Sequence, residues 1–384
     1  SSPSNFVEVN GTLFFSANHG SSGNELWKSD GTAAGTVLVK DIRSGANSSS
    51  IAYLTNLQGM LFFRANDGST GYELWKSDGT EAGTVRVKDI RPGSNSSSPS
   101  NFVEVNGTLF FAANDGSKGT ELWKSDGTEA GTTIVKDIRT GSSSSSLSYL
   151  TIMNDHFYFR AHDGSRGYEL WKSDGTEAGT VLVKDIQTGS GSSSPNYLTE
   201  VNGTLYFSAN DGTHSSELWK SDGTEAGTTM VKDINPGSSS SSLNSLTDVN
   251  GTLFFRASDG STGYELWKSD GTQAGTSLVK DIWPNSSSSS PNNFIAVNGT
   301  LFFSANDGLT GTELWKSDGT QAGTVLAKEI YFGKRAGMND FYFDYQMSIM
   351  PNSSSPSILT SYKGMLVFRA SDPEGQELWK YDPN

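Results

Sequence analysis

Glu121-Leu122-Trp123-Lys124-Ser125-Asp126-Gly127-Thr128 is the stretch whose reading decides the fold, because its first four residues recur along the whole chain. Glu-Leu-Trp-Lys begins at Glu25, Glu73, Glu121, Glu169, Glu217, Glu265 and Glu313, each 48 residues after the last, and again at Glu377 after a gap of 64. A period of about 45 to 50 residues is that of four-stranded propeller blades, whereas helical repeats of that length need amphipathic segments of 3.6 periodicity. No such segment is visible in the sequence.

The third unit resolves into four short runs rich in β-branched and aromatic residues: Asn101 to Val105, Thr108 to Ala113, Glu121 to Ser125 and Thr132 to Ile138. Asn106-Gly107 between the first two is a strong hairpin signal, since a two-residue type I′ turn needs positive φ at both positions. The longest link, Arg139 to Ser146, carries the chain to the next blade, and its serine run is expected to be ordered because it recurs at fixed phase. The expected fold is all-β: a single closed eight-bladed β-propeller over residues 1–384, with four-stranded blades except for a last blade that stops after its third strand. The 16 residues 331–346 break the pattern between units seven and eight, and their aromatic content suggests a hairpin that covers the last blade or mediates self-association.

A second period overlies the first. Even units carry Arg64, Arg160, Arg256 and Arg369 where odd units have Ser16, Ala112, Ser208 and Ser304, and Tyr72, Tyr168 and Tyr264 also mark even units. The repeating entity is therefore a pair of blades, and this alternation favours an even blade number. These seven Arg and Tyr positions are the candidate ligand-binding residues, set against the simpler reading that each arginine pairs with a neighbouring carboxylate.

Trp27 and its counterparts fit core packing between twisted sheets better than sugar stacking. Lys28 and Asp41, with their equivalents, suit structural pairs between blades. Asp30 through Asp318 in Ser-Asp-Gly-Thr read as Asx-turn residues. The one candidate cofactor is calcium, with Asp67, Asp115, Asp211, Asp259 and Asp307 as candidate ligands. Carboxylates among glycine turns suit a hard cation, although none has the spacing of an EF-hand loop. The four histidines, His19, His156, His162 and His214, occupy non-equivalent positions and do not suggest a shared metal site.

A net charge of −14 argues against nucleic acid as a partner, and no apolar run approaches the roughly 20 residues of a spanning helix, so membrane insertion is not expected. The chain has no cysteine and hence no thiolate chemistry. An acidic, Ser- and Gly-rich chain of this kind suggests an exported bacterial protein. Glu-Leu-Trp-Lys-Ser-Asp-Gly-Thr followed by Ala-Gly-Thr resembles the ELWxxDGT-repeat family of exported bacterial repeat proteins, and the resemblance covers essentially the whole chain. It implies an extracellular or cell-surface location and brings no catalytic residues.

Near-identical blades multiply each motif residue, whereas a catalytic centre needs unlike residues converging on one point, so no enzyme activity is expected. Repetition suits multivalent, lectin-like binding of carbohydrate, or of another cell-surface or matrix polymer, through several weak equivalent sites. The alternative is a structural or adhesive module of a bacterial envelope or matrix, possessing no small-molecule site and stabilised by calcium if any metal is used.

Overall fold

The structure, a computed structural model, describes residues 3–18, 20–330, 353–362, 364–372 and 374–383. The third repeat folds as the strands Ser100–Val105, Thr108–Asn114, Thr120–Ser125 and Thr133–Lys136, paired antiparallel in chain order. Asn106 and Gly107 take φ of 48° and 77°, the two positive values a type I′ hairpin demands. The fourth strand ends at Lys136 rather than Ile138 for a specific reason. The Ile138 amide leaves the sheet ladder and donates to Glu121 Oε2 at 2.9 Å.

Among the described residues the same meander recurs, giving seven four-stranded sheets and a last sheet of three strands, Ser357–Tyr362, Met365–Asp372 and Gly375–Tyr381. The chain is an all-β, eight-bladed β-propeller with no helix among the described residues. Its blades fall into two compact units, Ser1–Ser194 and Pro195–Asn384, with four blades in each. Residues 331–346, expected to form a hairpin that covers the last blade or self-associates, lie outside the described residues.

The core of each unit lies between consecutive sheets. In the first unit, Phe14, Leu26, Val39 and Ile42 of blade one pack against Leu61, Phe63, Ala65 and Trp75 of blade two. The second unit repeats the arrangement, with Tyr206, Leu218 and Val231 of blade five against Leu253, Phe255 and Trp267 of blade six. Alternation along each strand sends one set of side chains forward and the other back, so each interior blade is apolar on both faces. Six of the eight motif tryptophans, Trp75 through Trp315, are thus buried packing residues as expected, while Trp27 and Trp379 are half-buried. Burying one such large apolar side chain stabilises by about 1.5–3 kcal/mol.

The lysines do connect blades, but to carbonyls rather than to the expected Asp41-type carboxylates. Lys28 Nζ donates to Gly79 O at 2.8 Å and Lys40 Nζ to Thr84 O at 2.8 Å, each in the following blade. The acceptors are carbonyls of that blade's Asp-Gly-Thr turn region, and an ammonium with three rotatable donors is well suited to them. Lys232 and Lys280 also lie over the rings of Trp267 and Trp315, at 5.8 and 5.7 Å.

Candidate functional site

In even blades the second strand runs toward the loop beside the blade link, and its arginine sits near that end. Arg64 pairs across the sheet with Ala52 and Leu74, which sets it between the start of the first strand and the start of the third. Tyr53, the next residue of the first strand, has φ of 58° and lies in a register irregularity of the ladder. This left-handed backbone turns its side chain across the sheet instead of along the usual alternation. Tyr72 opens the third strand.

The result is a clamp. The Arg64 guanidinium carbon lies 5.0 Å from the Tyr53 ring centre and 5.2 Å from that of Tyr72. Blade four repeats it, with Arg160 at 5.0 Å from Tyr149 and 5.2 Å from Tyr168. In the second unit, Arg256 lies 5.4 Å from Tyr264, while Ser245 takes the other position with φ of 57°. In blade eight, Arg369 has Ile358 and Gln376 where the tyrosines would be. Arg369 is exposed, and its Nε donates to Ser357 Oγ at 3.3 Å.

The expectation that these arginines pair with carboxylates is corrected for three of them. Among the described residues, Arg64, Arg256 and Arg369 have no carboxylate within 4.0 Å. For Arg64 and Arg256 the tyrosine faces offer an alternative worth about 0.5–2 kcal/mol per contact. Arg64 Nε and Arg256 Nε are buried without a hydrogen-bond partner. A guanidinium held against tyrosine rings is restricted in its motion, and its planar fork of donors is of the kind that recognises carboxylate-like or sulfate-like oxygens.

Odd blades use the same backbone position differently. Asn5, with φ of 56°, donates from Nδ2 to Ser16 Oγ at 3.2 Å and to Ile51 O of the next blade at 3.0 Å. Asn101 likewise donates to Leu147 O at 3.1 Å. In blades one and three this position therefore stitches blades together, whereas in blades two and four it carries the tyrosine that lies against the arginine, and blade five also carries a tyrosine there, Tyr197.

Tyr53 and Tyr149 were not apparent as site residues. Their one signal is that they stand 48 residues after Asn5 and Asn101 respectively, at a position that Asn also holds in blade seven, as Asn293.

A second repeated constellation was also missed. The glutamate of Glu-Leu-Trp-Lys is fully buried in the first seven blades. Glu73 Oε1 accepts the Ser97 amide at 2.9 Å, while Oε2 accepts the Ile90 amide at 2.9 Å and the Ser97 hydroxyl at 2.6 Å. Burial pushes the carboxyl up to about 7 in Glu73, Glu121, Glu169 and Glu265 and to about 6 in Glu217, against the opposing pull of these hydrogen bonds. These glutamates bind the serine-rich link to the third strand, which explains why the serine runs are ordered.

The candidate calcium ligands act as turn caps. Asp67 Oδ1 accepts the amides of Ser69 and Thr70, both at 2.8 Å, and Asp115, Asp211, Asp259 and Asp307 accept the corresponding pairs. The related Asp163 would be raised by burial, but the Ser165 and Arg166 donors hold it down at about 2. Among the described residues, no three His, Asp or Glu side chains come together as a metal cluster. The Asp-Gly-Thr aspartates form the expected Asx turns, with Thr32 N donating to Asp30 Oδ1 at 2.9 Å. His214 Nδ1 and His162 Nδ1 each bond within their own loop, to Asp211 Oδ2 and the Gly164 amide.

No known family profile matches the chain, and no curated protein does. Solved structures do. A prolyl endopeptidase aligns at TM-score 0.51 and 14% identity, over 85% of this chain and 49% of its own length. Prolyl oligopeptidase B from Galerina marginata aligns at TM-score 0.49 and 12% identity, over 85% of this chain and 51% of its own, and a puromycin hydrolase at TM-score 0.46 and 13% identity, over 96% and 58%. The chain spans about half the length of these proteins. At such identity, the prolyl endopeptidase likeness shows the propeller fold and nothing of the activity.

Proposed function

We propose that this chain is a non-catalytic binding propeller of the ELWxxDGT-repeat type, exported to the bacterial surface or medium, that holds a carbohydrate or another surface polymer through several equivalent sites. The observation that carries this reading is the recurrence of arginines stacked on tyrosines and lacking a carboxylate partner: Arg64 on Tyr53 and Tyr72, and Arg256 on Tyr264. Sites repeated every second blade suit a repetitive target, on which weak individual contacts gain avidity by raising the effective concentration at the next site.

A panel of immobilised glycans tests the proposal. Binding to one class of polymer is expected, with affinity rising with polymer length and falling stepwise when Arg64, Arg160 and Arg256 are replaced singly and then together by Gln. If all three replacements leave binding unchanged, these sites do not carry it. If no polymer binds, the chain is better read as a structural or adhesive module of an envelope or matrix.

A further inference from the structure

The second unit contains a pocket of about 410 Å³ at the junction of blades seven and eight, where the arginine clamp is open. It is bordered by Asn292, Asn293, Ser304 and Thr312 of blade seven and by Arg369 and Gln376 of blade eight. Ser290, Ser355, Pro356 and Ser357 complete its wall, and no carboxylate among the described residues lines it, although Glu377 lines the adjoining depression that shares Arg369 and Gln376. In a chain carrying −14, a small-molecule-sized depression walled by one arginine and by hydroxyl and amide groups is locally cationic against the general sign of the surface.

The polar groups in this pocket divide into engaged and free. Asn293 Nδ2 is committed to Ser304 Oγ at 3.1 Å and to Pro356 O at 3.0 Å, which fixes the wall. Arg369 uses Nε on Ser357 Oγ and has no described carboxylate partner for the rest of its fork, while the exposed side chain of Gln376 has no partner among the described residues. Tyrosines occupy both flanking positions in blades two and four, but Ile358 and Gln376 replace them here. The guanidinium is therefore covered by neither tyrosine ring, and it borders a space with amide and hydroxyl groups around it.

We propose that this pocket binds one residue of an acidic saccharide. Its anionic oxygens, from a carboxylate or a sulfate, pair with the Arg369 fork, and its hydroxyls bond to Gln376, Asn292 and Thr312. The assignment rests on the polymer-binding reading and narrows it to an acidic polymer with a defined end-blade subsite. At physiological ionic strength, charges beyond about 8 Å are largely screened, so the chain's distant carboxylates weaken this contact little.

The test is calorimetric titration of the full chain with oligogalacturonate, with sulfated dextran oligomers and with neutral dextran oligomers of equal length, repeated on Arg369→Gln and Gln376→Ala. Far-ultraviolet circular dichroism and the melting temperature verify that both variants fold. The expected result is binding of an acidic oligomer at least tenfold tighter than the neutral one, a loss of at least tenfold in Arg369→Gln and a smaller loss in Gln376→Ala. Preference for galacturonate or for sulfated dextran identifies which anion the pocket takes. Equal affinity for neutral and acidic oligomers, or an Arg369→Gln variant that binds as wild type does, overturns the acidic subsite while leaving polymer binding standing. Failure of every oligomer and of the whole glycan panel overturns both.

Discussion

Glu121 Oε1 accepts the backbone amide of Ser145 at 2.8 Å, across 24 residues of chain and inside the protein. The same carboxylate takes the Ile138 amide on its other oxygen at 2.9 Å. Glu121→Gln must turn an NH₂ group toward one of these amide donors, and Glu121→Ala removes the Ile138 acceptor, leaves the Ser145 amide only Thr120 O at 3.1 Å, and opens a cavity. The glutamine variant is expected to lose about 1–3 kcal/mol and the alanine variant more. Denaturant unfolding of each variant checks this, and a glutamine variant as stable as wild type would mean that the link is held by its other contacts.

The raised carboxyls make stability depend on pH in a definite direction. A glutamate whose folded pKa lies above its unfolded value of 4.5 favours the folded state most below 4.5, and that contribution disappears as pH climbs through the folded value. Four of these groups sit at about 7 and one at about 6. The melting temperature should therefore fall between pH 5 and pH 8. The depressed Asp163, at about 2, acts only below the ordinary carboxylate range and does not oppose this trend. A melting temperature that is flat or rises from pH 5 to pH 8 would contradict it.

Two glycines with different constraints should separate in a mutation experiment. A Cβ on Gly83 would clash with the Asp78 carboxylate that caps the neighbouring Asx turn, whereas one on Gly93 meets nothing within 4 Å but sits at φ of 96°. Gly83→Ala is expected to cost more than about 2 kcal/mol, because the turn carboxylate must move. Gly93→Ala should cost about 1–2 kcal/mol from backbone conformation alone. Thermal unfolding of both variants decides, and the reverse order would show that the turn yields easily.

Chelation should have little effect on stability. The loop aspartates already accept two amides each, as Asp259 Oδ1 does from Ser261 and Thr262 at 2.8 and 2.9 Å. The melting temperature with EDTA and with millimolar calcium is expected to agree within about 1 °C, since a ligand stabilises only by binding the folded state. A calcium-dependent rise of several degrees would assign these loops to the metal.

The blade pattern was legible because Glu-Leu-Trp-Lys and Asn-Gly recur at fixed spacing, and repetition turns weak local signals into a strong one. The fate of Trp75, Asp78 and the serine links followed from the same spacing. The partners of Arg64 and Lys28 did not. Lys28 reaches a carbonyl 51 residues away, and carbonyls carry no sequence signature. Tyr53 meets Arg64 only because its backbone takes φ of 58°, a conformation that an aromatic residue does not advertise. The role of Glu73 was hidden for another reason: an acidic residue before Leu-Trp reads as solvent-facing until the link that covers it is seen.

The reach of the repeated bonds has a bearing on how the chain is made. The glutamate ties span 17 and 24 residues, and the lysine contacts between blades span 44 and 51. Each sheet can therefore complete its own bonds and those to its neighbour once about one further repeat has left the ribosome, without waiting for the far end of the polypeptide. The hazard of near-identical sequences is that a nascent sheet pairs with the wrong copy. Bonds this short in sequence favour the adjacent repeat simply because it is the one within reach.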